Sequence, residues 1–494
     1  MSTPTTTNQV DVLIVGAGIS GIGAAYHLTT GAPGTTFAVL EGRDAIGGTW
    51  DLFRYPGIRS DSDMPTFGYD HKPWTHENSI SEARFILDYL RETVTENGID
   101  AHIHFGHRVL TADFCSATGR WTVTARHGDE VVEFSARFLF SGTGYYDYAS
   151  GHTPDFAGIE DFQGTVVHPQ FWPEDLDYTG KKVVVIGSGA TAVTIVPSMA
   201  GRAGHVTMLQ RSPGYVMSLP AADPVAGVLN RLLGHDRAYP IIRRKNIHQQ
   251  RGIYKFCRRF PKLARRLLIA DVRRRLPKGF DVDTHFGPAY DPWDQRLCMV
   301  PDGDLFTAVS SGDASVVTDR IDRFTPTGIL LESGVQLDAD IVVTATGLNM
   351  QPMGGIELRV DERPVELSET TVYKSMMLTG VPNFVFAIGY TNASWTLKVD
   401  IVCEHFCRLI QHMDESGQAT MVPVLDEHGM ERLPLFDLGT GYVRRRIASF
   451  PHGGDRGVWT ATMAYEQDLA RLRHGPVEDP ALRFTPQRTV EPAA

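Results

Sequence analysis

Twice in this chain a run of β-branched residues ends in a glycine turn that opens a helix, and this repetition restricts the fold more than any other feature. In "VDVLIVGAGISGIGAAYHL" the glycines Gly16, Gly18 and Gly21 stand in Gly-x-Gly-x-x-Gly register. The first permits the turn, the second lets backbone approach a pyrophosphate, and the third lets helix pack on strand. Ser20 lies in the first helical turn, where free N–H groups attract an anion. The next strand, "TTFAVLE", ends in Glu41, an acid placed to accept from both ribose hydroxyls. A 2′-phosphate would be repelled there, so this site reads an unphosphorylated adenosine, FAD or NAD. In "KKVVVIGSGATAVTIVPSMA" the plan returns with Gly187, Ser188, Gly189, Ala190, Thr191 and Ala192. Its following strand ends not in an acid but in Gln210, Arg211 and Ser212. Arg211 can fork onto a phosphate and Ser212 can donate to one, so the second site reads NADPH.

Two such units imply an α/β protein with two Rossmann-like dinucleotide-binding domains, and a chain of 494 residues has room for both. "GRDAIGGTWDLFRYPGIRSD", just beyond Glu41, carries a second Gly-Gly pair and favours FAD over NAD at the first site. No cysteine lies between Glu41 and Cys115, which excludes dithiol redox chemistry there. "ARFLFSGTGYYDY" and "ADIVVTATGLNM" are strands ending at Thr143-Gly144 and Thr346-Gly347, read as crossings between the two domains. After Val216 the Rossmann pattern stops, and "IIRRKNIHQQRGIYKFCRRFPKLARRLLIADVRRRL" is helical and strongly basic. The expected division is therefore FAD domain 1–145, NADP domain 146–215, helical insertion 216–289, NADP domain again 290–375, and FAD domain with the C-terminal tail 376–494. The strand "PNFVFAIGYTNASW" leads into a helix starting near Ser394, whose positive end would face a flavin that becomes anionic on reduction, or which simply closes the domain.

A net charge of −11 argues against nucleic-acid binding. The start "MSTPTTTNQV" has no basic leader, and the following apolar run is too short and glycine-broken to span a bilayer. Five scattered cysteines without a Cys-x-x-Cys pair fit a reducing, cytoplasmic setting with neither disulfides nor a metal site. Cys403 and Cys407, four apart on a helix, read as buried free thiols.

Between the glycine turns lies "FQGTVVHPQFWP". Phe162 and Trp172 act as anchors, Gly164 allows close backbone approach, and His168 serves as a hydrogen-bonding pivot in a linker ending at Pro173. The whole pattern, Phe-x-Gly-x-x-x-His-x-x-x-Trp-Pro, resembles the fingerprint of type I Baeyer–Villiger monooxygenases. "GGTWDLFRYPGIRSD" resembles the second fingerprint of the same family. The resemblance covers essentially the full length and is strongest to the ethionamide-activating type, through "TWDLFRYPGIRSDSDM", "HFGPAYDPWDQRLCMVPDGDLF" and "GYTNASWTLK". It implies that FAD and NADPH activate O₂ as a flavin peroxide that converts hydrophobic ketones to esters or lactones, with sulfoxidation of thioethers or thioamides beside it. It further implies cofactor contacts at Gly48, Thr49, Trp50, Asp51, Leu52, Arg59, Ser60, Asp61 and Val109. Arg296 matches the active-site arginine and Asp61 the acid that pairs with it. Many relatives carry lysine just before that arginine; here Gln295 stands there, which leaves the 2′-phosphate to Arg211 and Ser212. The basic insertion is read as a cap over the substrate tunnel with its charged side outward and Phe256 and Leu268 inward. Weak association with an anionic membrane surface is its second reading. Two other activities stay open, an N- or S-oxygenating flavin-containing monooxygenase and a non-oxygenating NADPH/FAD redox sensor or oxidase.

Overall fold

The computed structural model describes residues 8–426, 429–436 and 439–486. The first glycine turn follows an interior strand of a nine-stranded sheet. Its strand, Asn8–Val15, is parallel to Phe37–Leu40 on one side and to Glu130–Ser141 on the other. All four residues of Phe37–Leu40 are buried, which explains their continuous apolar run: Phe37 and Val39 pack with helical residues such as Ile22 and Leu28 on one face, and Ala38 and Leu40 with Val109, Ala112 and Val123 of antiparallel strands on the other. The second turn lies in a separate five-stranded sheet whose neighbouring strands are all parallel. There Lys182–Ile186 is flanked by His205–Gln210 and Ile341–Thr344.

The chain passes from the first sheet to the second through Tyr146–Gly151 and returns through Leu348–Met350, and these two segments pair antiparallel. The crossings thus follow directly on the two Thr-Gly turns. The return is earlier than the division at 375 implies: Glu357–Val360 pairs with His107–Cys115 of the nine-stranded sheet. A four-residue strand beyond a crossing has no turn signal of its own, and only its partner assigns it to a sheet.

Helices Pro224–Leu233, His235–Arg259, Pro261–Arg275 and Val282–Phe286 form the insertion. Its basic residues are not all outward. Arg243 and Arg251 are buried. Arg243 donates to the carbonyls of Pro65 and Gly68 and pairs with buried Asp400 at 3.2 Å. Arg251 reaches Asn392 and Glu466. Burying a guanidinium is tolerable only when its donors are matched, and here carbonyls and carboxylates match them. The insertion is accordingly clamped to helices and loops of the FAD-side unit, including helix Thr396–Ser416, rather than laid loosely over it.

Candidate functional site

Both glycine turns open onto one cavity of about 1240 Å³, larger than the roughly 300–1,000 Å³ typical of a single small-ligand pocket. At the first turn, a Cβ on Gly21 would sit 1.8 Å from the Gly16 carbonyl oxygen, so the helix Ile19–Gly31 packs on its strand only because no side chain intervenes. Gly18 packs directly on Gly48: a Cβ on Gly18 would lie 3.6 Å from the Gly48 Cα, and a Cβ on Gly48 only 3.2 Å from the Gly18 Cα. The two bare backbones thereby form one continuous, side-chain-free stretch of the cavity wall, which an anion can approach closely. Helix Ile19–Gly31 and its counterpart Ala190–Met199 both start at a glycine N-cap with no side-chain cap, leaving first-turn N–H groups for an anion. A Cβ on Gly189 would meet nothing within 4 Å, so this turn too is open to a ligand.

Of the sequence-derived residues, Gly16, Gly18, Ser20, Glu41, Gly48, Thr49, Trp50, Arg59, Ser60, Asp61 and Val109 line the first part of the cavity. Gly187, Ser188, Gly189, Ala190, Thr191, Arg211, Ser212 and Arg296 line the rest. Glu41 is buried and already accepts from the N–H groups of Ala17 at 2.7 Å and Arg43 at 2.9 Å. Burial pushes its carboxyl above the usual range, against those two bonds. Gly21 and Ala192 act behind the wall, through packing. Asp51 and Leu52 also lie off it, and Asp51 is held between Arg43 at 2.6 Å and Arg54 at 2.7 Å. Gln210 is turned away from any phosphate, because its amide donates to the His285 carbonyl and to Thr318.

The linker motif lies outside the cavity. Phe162 is buried against Phe324, and a Cβ on Gly164 would meet the Asp340 carbonyl at 2.4 Å. Trp172, just before Pro173, is buried in the core of the five-stranded unit. His168 accepts from the Gln170 N–H at Nδ1 and faces the Gly347 carbonyl from Nε2 at 3.2 Å. That pattern fixes a neutral ring protonated at Nε2, and burial lowers the pKa further. The imidazole also fills the space over Gly151, so His168 braces both strands of the crossing ribbon.

Arg296 and Asp61, remote in sequence, meet at 2.5 Å on the cavity wall. They come from irregular segments that are each tied down. The arginine loop holds Trp293 at a left-handed φ of 74°, costly for a bulky residue, and the Asp294 carbonyl accepts from Gly439. The acid's segment is fixed where the Ser60 N–H donates to the Ser81 carbonyl. The pair keeps one side toward the cavity, with side-chain exposures of 34% and 27%. Asp61 raises the Arg296 pKa above its already high ordinary value, so the cation is permanent.

Around it stand residues that no motif singled out. Tyr145 and Tyr146 have ring centroids 4.6 Å apart, and Tyr442 lies 6.4 Å from Tyr146. Burial raises the pKa of the Tyr145 and Tyr146 hydroxyls, which stay neutral. Cys298 also lines the wall, and burial pushes its thiol up to about 12, so it remains an unreactive thiol. Tyr145 and Tyr146 sit in "GTGYYDY", where only the turn was informative, and Tyr442 sits far along the chain in "GTGYV", which carried no signal. By contrast, none of the insertion's residues lines the cavity among the described residues. Leu268 packs instead against the core of the five-stranded unit and Phe256 lies beside Phe260, which corrects the reading of the insertion as a tunnel cap.

An α/β chain that brings two pyrophosphate-binding turns and a fixed guanidinium to one cavity is a flavoprotein of the two-dinucleotide class. The profile described as flavin-binding monooxygenase-like matches residues 9–377. The chain belongs to that family, and its resemblance to type I Baeyer–Villiger monooxygenases of the ethionamide-activating type holds over its length. It is 49% identical over 479 residues to the FAD-containing monooxygenase EthA of Mycobacterium tuberculosis, covering 97% of this chain and 98% of that one. It is 47% identical over 479 residues to the probable FAD-binding monooxygenase AlmA of an Acinetobacter species, covering 96% of each chain. In fold it is similar to an oxidized steroid monooxygenase bound to NADP, with a TM-score of 0.75 at 22% identity over 97% of this chain and 100% of that one. An open form of cyclohexanone monooxygenase gives the same TM-score at 19% identity and the same coverage.

Proposed function

We propose that this flavin monooxygenase inserts oxygen beside the carbonyl of apolar ketones, yielding esters or lactones, and sulfoxidises thioethers and thioamides as a second reaction. Its cofactors are FAD and NADPH. Gly16, Gly18, Glu41, Gly48, Thr49 and Trp50 would hold FAD, and Gly187, Ser188, Gly189, Arg211 and Ser212 would hold NADPH. When bound and reduced, the flavin supplies activated oxygen derived from O₂.

The protein's own part is electrostatic and steric. The observation that carries the reading is Arg296, held at 2.5 Å by Asp61 on the wall shared by both nucleotide turns. Oxygen insertion places negative charge on the carbonyl oxygen of the substrate, and a cation already in position stabilises that charge without reorganising. Asp61 orients the guanidinium and leaves other donors of the fork to face the cavity. The tyrosine wall of Tyr145, Tyr146 and Tyr442 supplies apolar surface for the substrate's hydrocarbon and keeps bulk water from the reacting carbonyl. The names of two fold neighbours, acting on a steroid and on cyclohexanone, are consistent with a carbonyl-bearing apolar substrate.

The test is product analysis with NADPH, O₂ and either 2-octanone or thioanisole. Ester from a ketone is the expected outcome. Sulfoxide with no ester from any ketone would assign an N- or S-oxygenase instead, and hydrogen peroxide without either product would assign an oxidase or sensor.

A further inference from the structure

The insertion carries a charge opposite to that of the chain around it. Between Pro224 and Arg275 there are 15 lysines and arginines against 2 aspartates, in a protein of net charge −11. Apart from Arg258, which pairs at 2.7 Å with Asp294 of the loop that carries Arg296, and the buried Arg243 and Arg251, this charge has no partner in the site already described, and none of it lines the cavity wall among the described residues.

Helix Pro261–Arg275 presents two faces. Ala264, Ile269 and Val272 are buried. The opposite face leaves Phe260 49%, Leu263 47% and Leu267 55% exposed, a row at the spacing that shares one side of a helix. Arg259, Lys262 and Arg266, all exposed, border that row. Elsewhere on the insertion, helix Pro224–Leu233 has no buried residue at all and exposes Val228 and Leu232. Large apolar side chains gathered on one solvent-facing side and rimmed by cations are a poor match to water and a good match to a bilayer interface, where hydrocarbon sits beneath negative headgroups. No described helix is long and apolar enough to cross a membrane, so contact would be in the plane of the surface.

We propose that Phe260, Leu263 and Leu267, with Arg259, Lys262 and Arg266, form a docking surface for an anionic lipid bilayer. The leucines enter the interface and the cations meet lipid phosphates. A nucleic acid would use the charges but gain nothing from the three apolar side chains, and the charge complementarity selects anionic over neutral lipid.

The experiment is co-sedimentation of the full-length, FAD-loaded protein with vesicles of phosphatidylglycerol and phosphatidylcholine in equal parts, against pure phosphatidylcholine, at low and high salt. Binding to the anionic vesicles alone, weakened by salt, is expected. The pair K262Q/R266Q should lower partitioning on the order of 30-fold, and L263Q/L267Q about tenfold or more, with FAD content and NADPH oxidation unchanged in both. Absence of vesicle binding at low salt would overturn the proposal. So would binding indifferent to the leucines and displaced by duplex DNA, which marks a general polyanion patch. A dimer in sedimentation velocity that L263Q/L267Q dissolves would overturn it too, since the surface would then belong to a second copy.

Discussion

Replacing Arg296 by alanine tests the proposed chemistry most directly, and the structure sets the expected size of the effect. The guanidinium faces the cavity, at 34% exposure, and pairs with a carboxylate 27% exposed. Breaking this partly buried pair should cost on the order of 1–3 kcal/mol, less than the roughly 5–15 kcal/mol that keeps a domain folded, so R296A should fold and retain FAD. Its effect on catalysis should be far larger, because the lost cation faces the point where negative charge develops. Removing one preorganised donor from such a site typically costs about 3–4 kcal/mol, or roughly 10²–10³ in kcat. A permanent charge belongs at the upper end of that range. The assay is ester formation from 2-octanone by gas chromatography, run beside NADPH consumption and visible absorbance of bound flavin. R296A should consume NADPH with its flavin intact while product formation falls about a thousandfold. R296K, which keeps the charge but loses the fork, should fall between the two. Ester formation within tenfold of wild type, with flavin fully bound, would refute the role given to Arg296.

Three further outcomes are expected. Gly21→Ala would press a methyl against the Gly16 carbonyl, 1.8 Å away, and should yield protein with sharply reduced flavin absorbance per chain. Arg211→Ser removes the charged contact proposed for the 2′-phosphate and should lower the NADPH-to-NADH ratio of kcat/KM by about 10- to 100-fold, and equal values for the two cofactors in the wild type would defeat the assignment. Burial alone would raise the Glu466 carboxyl, but bonds from its own backbone N–H and Lys255, with Arg251 beside it, pull its pKa down to about 2. Its contribution to stability is therefore present above the usual glutamate pKa of about 4.3 and is lost as pH falls toward 2. Urea midpoints should show a smaller drop for E466Q than for wild type across that window.

What was legible in advance follows the range of the interactions involved. Gly16, Gly18, Glu41, Gly187 and Gly189 were readable because a nucleotide turn is local: strand, turn, helix and acid lie within a few dozen consecutive residues. Arg296 and Asp61 were paired through resemblance alone, since no spacing rule connects segments so far apart. The tyrosine wall was invisible because aromatic residues after a strand are ordinary until the fold turns them toward a cavity. The insertion misled for a related reason. Helical periodicity and basic charge were plain in the sequence, but the direction each face points depends on partners such as Asp400 and Pro65, which lie elsewhere in the chain. Gln210 shows the same limit at a single residue: it ends the right strand, yet its amide serves His285 and Thr318.

The ribbon of Tyr146–Gly151 and Leu348–Met350 has a modular consequence. Tyr146 lies opposite Met350 and Gly151 opposite Leu348, so entry to and exit from the five-stranded unit are neighbours. In connectivity that unit is a cassette entered and left through a single two-pin socket, with side-chain clasps such as Arg243–Asp400 and Arg251–Glu466 fastening its insertion to the host. Adjacent ends are what make transplantation of a folded segment tolerable. A related chain's cassette, cut at the same two pins, could be exchanged here without rerouting the host, bringing its own cofactor preference while leaving the flavin side in place.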